Sequence, residues 1–247
     1  MVLLFALALY AQDPVLRFEV ASIKPSDPAT NGSNFSFNRG TGLTTRNATV
    51  KALMEMAYDV RSFQIAGGPG WLETDHYDIA AKNATDDPTP PLATYNTDAL
   101  RPSRLRLQAL LAERFQLKIH RETKELPAYA LVAAKGGAKL EDRPGDDPNS
   151  GITTYCGRIV ANHIDMETVA LVLSREVGRP VIDRTGLKGR YDFKLTWTPD
   201  SGPCSAGTPE RPSLFAALQE DLGLRLEAIK APTEIIVIDS AAKPTAN

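Results

Sequence analysis

Two stretches of the chain share one pattern of apolar residues, and that repetition restricts the fold more than any other feature. Leu105–Ala133 is LRLQALLAERFQLKIHRETKELPAYALVA, and Leu214–Ser240 is LFAALQEDLGLRLEAIKAPTEIIVIDS. Leu107, Leu110, Leu111 and Phe115 match Leu214, Ala217, Leu218 and Leu222 in spacing. Residues spaced i, i+3, i+4 line one face of a helix, so each stretch predicts an amphipathic helix. Leu117-Lys118-Ile119 then aligns with Leu224-Arg225-Leu226, a strand in each copy. Pro127 and Pro232 each open a further strand, so each copy is expected to end in a strand, a turn and a second strand.

The sequence before each stretch agrees as well. A strand at Phe18–Ile23 and a short one near Phe35–Phe37 precede the first of these segments. Leu43–Arg46 predicts a strand leading into a helix at about 49–58, whose apolar residues Val50, Leu53, Met54 and Ala57 follow helical spacing. Ile159–Ala161 and the set Met166, Val169, Ala170 and Leu173 repeat this, with Thr49 or Asn47 and Asp165 as caps. Val60–Ile65 and Pro180-Val181-Ile182 are expected strands. Gly67–Gly70 is an expected turn, and Tyr77-Asp78-Ile79 parallels Tyr191-Asp192-Phe193. Ser103 and Ser213 are expected to cap the helices of the repeated stretches, behind Pro-rich connectors at 83–102 and 198–212. Each half therefore predicts β-α-β-β-α-β-β. The fold class is α+β: two tandem half-domains, each a small mixed sheet with helices packed on one face. The expected first half-domain is 16–137, the linker 138–157 and the second half-domain 158–247.

The chain has 247 residues, is 43% hydrophobic and has a formal net charge of −2. A core of ordinary size is expected, and no basic surplus favours a nucleic-acid partner. Val2–Ala11, VLLFALALYA, has the length and polarity of a signal-peptide apolar region, so residues 1–12 are expected to direct export, though no basic residue precedes the run. It is too short for a transmembrane helix. The two cysteines, Cys156 and Cys204, would then form a disulfide, closing a loop of about 48 residues worth roughly 4 kcal/mol. Two unrelated buried thiols are the alternative.

The motifs FEVASIKPS, QIAGGPGWL, YDIAAK, GRPVIDRTGLKGRYDFKLTWTPD and the two repeated stretches resemble an exported "soil-associated protein" family, a domain of unknown function. The resemblance spans nearly all of the chain after residue 15. Each half is also similar, less specifically, to the short N-terminal domain of secretins and TonB-dependent receptors, best at Leu222-Gly223-Leu224 and the expected hairpin after it. These resemblances imply a periplasmic or extracellular location and protein–protein contact. They carry no activity.

The sequence holds three histidines and no GxSxG, HExxH, P-loop or GxGxxG pattern. His76 and Asp78 share a strand face, but two ligands do not make a metal site, and neither a metal nor a cofactor is expected. His120 is expected at a solvated strand end and His163 in a turn. Asp183, Arg184 and Asp192 read as a charged turn rather than an acid–base group. Trp197 reads as a core residue. Trp71 is either core or an anchor presented by the Gly-Pro-Gly turn. Expected function is thus non-enzymatic binding of an envelope protein or peptide, through sheet edges or a cleft between the halves, with Trp71, Tyr77, Asp78, Tyr191 and Asp192 as candidate contacts. An extracytoplasmic sensor piece beside a membrane receptor or protease, and a hydrolase whose site assembles only in three dimensions, are the alternatives.

Overall fold

A computed structural model describes residues 16–38, 41–84, 100–199 and 211–245. The expected signal peptide, Cys204 and most of the two connectors lie outside these residues. The structure is mixed α+β, with helices packed against small sheets. It divides into two compact units: unit 1 is 1–122 with 235–247, and unit 2 is 123–234.

Unit 1 begins with strands β1 (Val20–Pro25), β2 (Asn34–Phe37) and β3 (Gly42–Thr49), then helix α1 (Val50–Tyr58). A 3₁₀ turn at Ser62–Gln64, strand β4 (Ile65–Gly67), the short helix α2 (Trp71–Thr74), strand β5 (His76–Lys82) and helix α3 (Arg101–Arg114) follow. Strand β6 (Lys118–Ala133) carries the chain into unit 2. There β7 (Gly151–Tyr155), β8 (Arg158–Ile164), α4 (Met166–Val177), β9 (Val181–Asp183), β10 (Tyr191–Thr196) and α5 (Leu214–Leu222) precede β11 (Leu224–Ser240), whose end returns to unit 1.

The units share a strand plan. Antiparallel strands run β1-β5-β3-β2 in unit 1 and β10-β8-β7 in unit 2, so β5-β3-β2 has its counterpart and β1 is extra. The backbone agrees even where the chain adopts an uncommon conformation. Asn47 and His163 both have φ 54° in the third and eighth strands, Asp59 and Gly178 are left-handed C-caps, and Gln116 and Gly223 are left-handed after α3 and α5. Positive φ is rare outside glycine, and of these three pairs only Asn47 and His163 are non-glycine in both units. The caps match as well: Thr49 accepts from the Ala52 amide and Asp165 from the Thr168 amide.

The sequence boundaries of the halves differ from the compact units. Instead of strand, turn and strand, each repeated stretch continues as one long strand, of 16 residues in β6 and 17 in β11. His120–Glu125 is polar because it passes from one apolar core to another, and a solvated strand segment loses the alternation that marks a strand. The result is an exchange of strands. Ile236–Ile238, from the second half of the sequence, pair in parallel with Ile65–Gly67 in unit 1. Tyr129–Leu131, from the first half, pair in parallel with Val181–Asp183 in unit 2. Each core contains the donated residues: Ile236 and Ile238 sit with Leu53, Leu111 and Phe115, and Leu131 sits with Leu173, Leu195 and Leu218.

Three local expectations also change. The expected linker contains β7, and Asp142 forms an isolated bridge with Tyr191. The Val60 amide returns to the Glu55 carbonyl, so Val60 closes α1 rather than opening a strand. Helix α3 starts at Arg101 and buries Ser103 inside it, because Pro102 is tolerated in a first turn where no intrahelical amide bond is needed. Ser213 does cap α5, accepting from the Ala216 amide.

Candidate functional site

The Tyr-Asp pair of each half is a backbone lock. Strand alternation sends Tyr77 and Ile79 into the core and leaves His76 and Asp78 on the opposite face. Opposite them, β3 carries an irregularity between Thr45 and Ala48, where Asn47 turns left-handed. Asp78 Oδ1 accepts from the Asn47 amide at 2.8 Å and from Ser26 Oγ at 2.7 Å. The Ser26 hydroxyl, then the Asn47 amide, hold the Asp78 carboxyl below the ordinary aspartate range. Unit 2 repeats the device: Asp192 Oδ1 accepts from the left-handed His163 amide at 2.6 Å, and Arg143 pairs with its other oxygen. The His163 amide, then the Arg143 guanidinium, lower the Asp192 pKa.

The residues of the expected contact set take the following places. Tyr77 and Tyr191 are each 4% exposed, so both belong to the cores, and Tyr77 also lines a cavity of unit 1. Tyr77 stacks edge-on with Phe115 at 5.3 Å, and burial, with Asp75 adding to it, pushes its phenol up. Asp78 and Asp192 are engaged internally. Trp71 is half-buried against the unit 1 core, with the Lys243 ammonium 5.8 Å from its ring. It serves partly as core and partly as cover.

Beside this lock, unit 1 holds a cavity of about 590 Å³. Its walls are Pro25, Pro28 and Pro244, with Thr30, Thr74 and His76 among its polar lining. The carboxylates at its rim have internal partners. Asp27 caps its own turn through the Ala29 amide, and Asp75 pairs with Lys243 at 2.5 Å, a bond that raises the Lys243 pKa. His76 Nδ1 lies 3.0 Å from the Thr74 carbonyl, which can only accept. A hydrogen bond there has Nδ1 as its donor.

The chain from residue 51 to 241 matches the model of a family described as "Protein of unknown function (DUF3738)". The chain belongs to the DUF3738 family. The match begins within α1, runs through β11 and so covers parts of both units. Among the residues lining the cavity, those at 23–47 and 243–245 lie outside it. No match is found among curated proteins or solved structures.

The other chemically suggestive residues of this DUF3738 chain are dispersed. His120 lies within β6 rather than at a strand end, and its Nδ1 is 2.8 Å from Asp239. His163 belongs to β8, and Trp197 is buried, 3% exposed. Asp183 accepts from the Thr185 amide and hydroxyl, closing a turn. Among the described residues no group of three or more His, Cys, Asp or Glu is placed to hold a metal ion, and no helix is long and apolar enough to cross a membrane. Cys156 lies on the turn between β7 and β8, and Cys204 lies outside the described residues. The cavity residues Pro25, Pro28, Lys243 and Pro244 went unrecognised in the sequence, where only their clustering as turn-forming residues marks them.

Proposed function

We propose that this chain is an exported module of the cell envelope that binds another protein or peptide without chemically changing it. The observation that carries the reading is the unit 1 cavity. It combines proline walls with an Asp75–Lys243 ion pair and an Asp27 carboxylate that accepts from the Ala29 amide of its own turn. Such a surface suits an uncharged, extended stretch of polypeptide, since pre-set proline walls lose little conformational entropy on binding. The carboxylates around it sit in structural contacts, which leaves His76 without a partnered acid for general acid–base work.

The resemblance to exported soil-associated proteins favours a periplasmic or extracellular setting. The likeness of each half to the short N-terminal domain of secretins and TonB-dependent receptors favours a protein partner. We infer an internal duplication from the matched caps and left-handed corners, and a Cys156–Cys204 bridge from the two cysteines of an exported chain.

A photo-cross-linking residue at Thr30, inside the cavity, tests the reading in the native cell envelope. A discrete adduct is expected from Thr30 and not from the exposed strand position Glu125. Equal labelling from both positions, or none from Thr30, would count against it.

A further inference from the structure

Unit 2 carries a separate concave surface at the outer side of β9. A groove of about 610 Å³ lies between α4 and this strand, lined by Glu167, Thr168, Ala170, Leu171 and Ser174 from the helix and by Val181–Asp183. It lies wholly within the span matched by the family. It shares no residue with the unit 1 cavity.

Among the described residues, strand β9 is paired on one side only. Toward β6, the Tyr129 amide donates to the Pro180 carbonyl at 2.8 Å and the Arg184 amide donates to the Leu131 carbonyl at 2.9 Å. Groups alternate sides along a strand, so the backbone of Val181 and Asp183 faces away from β6, toward the groove. The Val181 amide is satisfied by Ser174 Oγ at 2.9 Å, and that hydroxyl donates to the Ala170 carbonyl at 2.9 Å. The Val181 carbonyl and the Asp183 amide have no protein partner among the described residues. They form a short ladder open to an added strand.

Comparison with unit 1 shows why the groove is open. Aligned on the caps Thr49 and Asp165, Met54 and Tyr58 of α1 stand where α4 has Ala170 and Ser174. In unit 1 Met54 is fully buried and Tyr58 packs against the core. The smaller side chains of unit 2 leave that volume unfilled and one wall apolar, with Leu171 52% exposed. Both charged residues of the lining, Glu167 and Asp183, are acidic.

We propose that this groove takes an extended segment of another polypeptide, which adds to β9 as an outer strand. An apolar side chain of that segment packs against Ala170, Leu171 and Val181, and a flanking basic side chain faces Glu167 and Asp183. Backbone hydrogen bonds to Val181 and Asp183 supply the register, as in other strand-addition modes. The two acidic groups select the charge of the segment.

The test uses the full chain and two end-capped octapeptides, one alternating lysine with valine and one alternating glutamate with valine. Amide spectra at low salt should show saturable shifts at 167–183 with the lysine peptide and slowed exchange of the Asp183 amide. The lysine peptide should bind at least fivefold more tightly than the glutamate peptide. Leu171→Ser, at an exposed position, and Ala170→Met, which refills the groove in the manner of Met54, should each weaken binding at least fivefold. Should Ala170→Met fail to fold, Leu171→Ser decides. Equal binding of both peptides, no saturable shift at 167–183, or unchanged binding by Leu171→Ser overturns the proposal.

Discussion

The exchange of strands makes an unusual demand: damage to the end of the chain should loosen the unit built by its beginning. Ile236 belongs to the second half of the sequence, yet it is fully buried in unit 1 beside Leu53, Leu111 and Phe115. Ile236→Ala removes about three carbons, worth roughly 2.4 kcal/mol at about 0.8 kcal/mol each. A cavity left in a rigid core adds to that, giving about 3–4 kcal/mol. The reciprocal change is Leu131→Ala, fully buried in unit 2 and expected to cost about 3–4 kcal/mol there. Native-state hydrogen exchange reads each unit through its own helices, α1 and α3 against α4 and α5. Ile236→Ala should speed exchange in α1 and α3 first, and Leu131→Ala in α4 and α5 first. The opposite assignment, with Ile236→Ala loosening α4 and α5 while α1 and α3 hold, would refute the exchange and restore two tandem half-domains.

Further outcomes follow from the locks and the aromatic residues. Asp78 has a lowered pKa in the folded chain, so its contribution is full above the unfolded value of about 3.9 and is lost as pH falls through the folded value. Asp78→Ala should therefore lower the melting temperature at neutral pH and flatten its acid-side fall, whereas a parallel shift at all pH values would show that the carboxylate charge is not used. Trp197→Ala, at a buried ring, should cost about 3–5 kcal/mol in denaturant unfolding, and Trp71→Ala, at a half-buried ring, clearly less. Equal losses would place Trp71 fully in the core. Non-reducing mass mapping of exported protein should recover Cys156 joined to Cys204, and two alkylated thiols in that sample would exclude the bridge.

Helical periodicity carried well from sequence to structure. Val50, Leu53, Met54 and Ala57 line the buried face of α1, and Leu214, Ala217, Leu218 and Leu222 that of α5. Short-range capping was legible at Thr49, Asp165 and Ser213, where a side chain meets an amide three residues on. The exchange of strands was not legible. Which core receives Ile236 depends on a long-range pairing with Ile65, and either partner unit satisfies the same apolar pattern. The polar stretch His120–Glu125 imitated a turn for the same reason. The repeated Tyr-Asp pair was visible, but its purpose was hidden, because it lies in the backbone amides of Asn47 and His163 on a neighbouring strand. The cavity joins Pro25 and Pro28 to Lys243 and Pro244, residues from opposite ends of the chain that no local pattern connects.

The central functional claim, recognition without turnover at the unit 1 cavity, is tested most directly by calorimetric titration with the partner identified by Thr30 cross-linking. The comparison is between the unaltered chain and Thr74→Trp, which fills the cavity from its rim. The account predicts at least a tenfold loss of affinity in the variant, an unchanged melting temperature, and a partner whose mass is the same before and after prolonged incubation. Equal affinity for both chains, or a partner cleaved or modified by the unaltered chain, would contradict it.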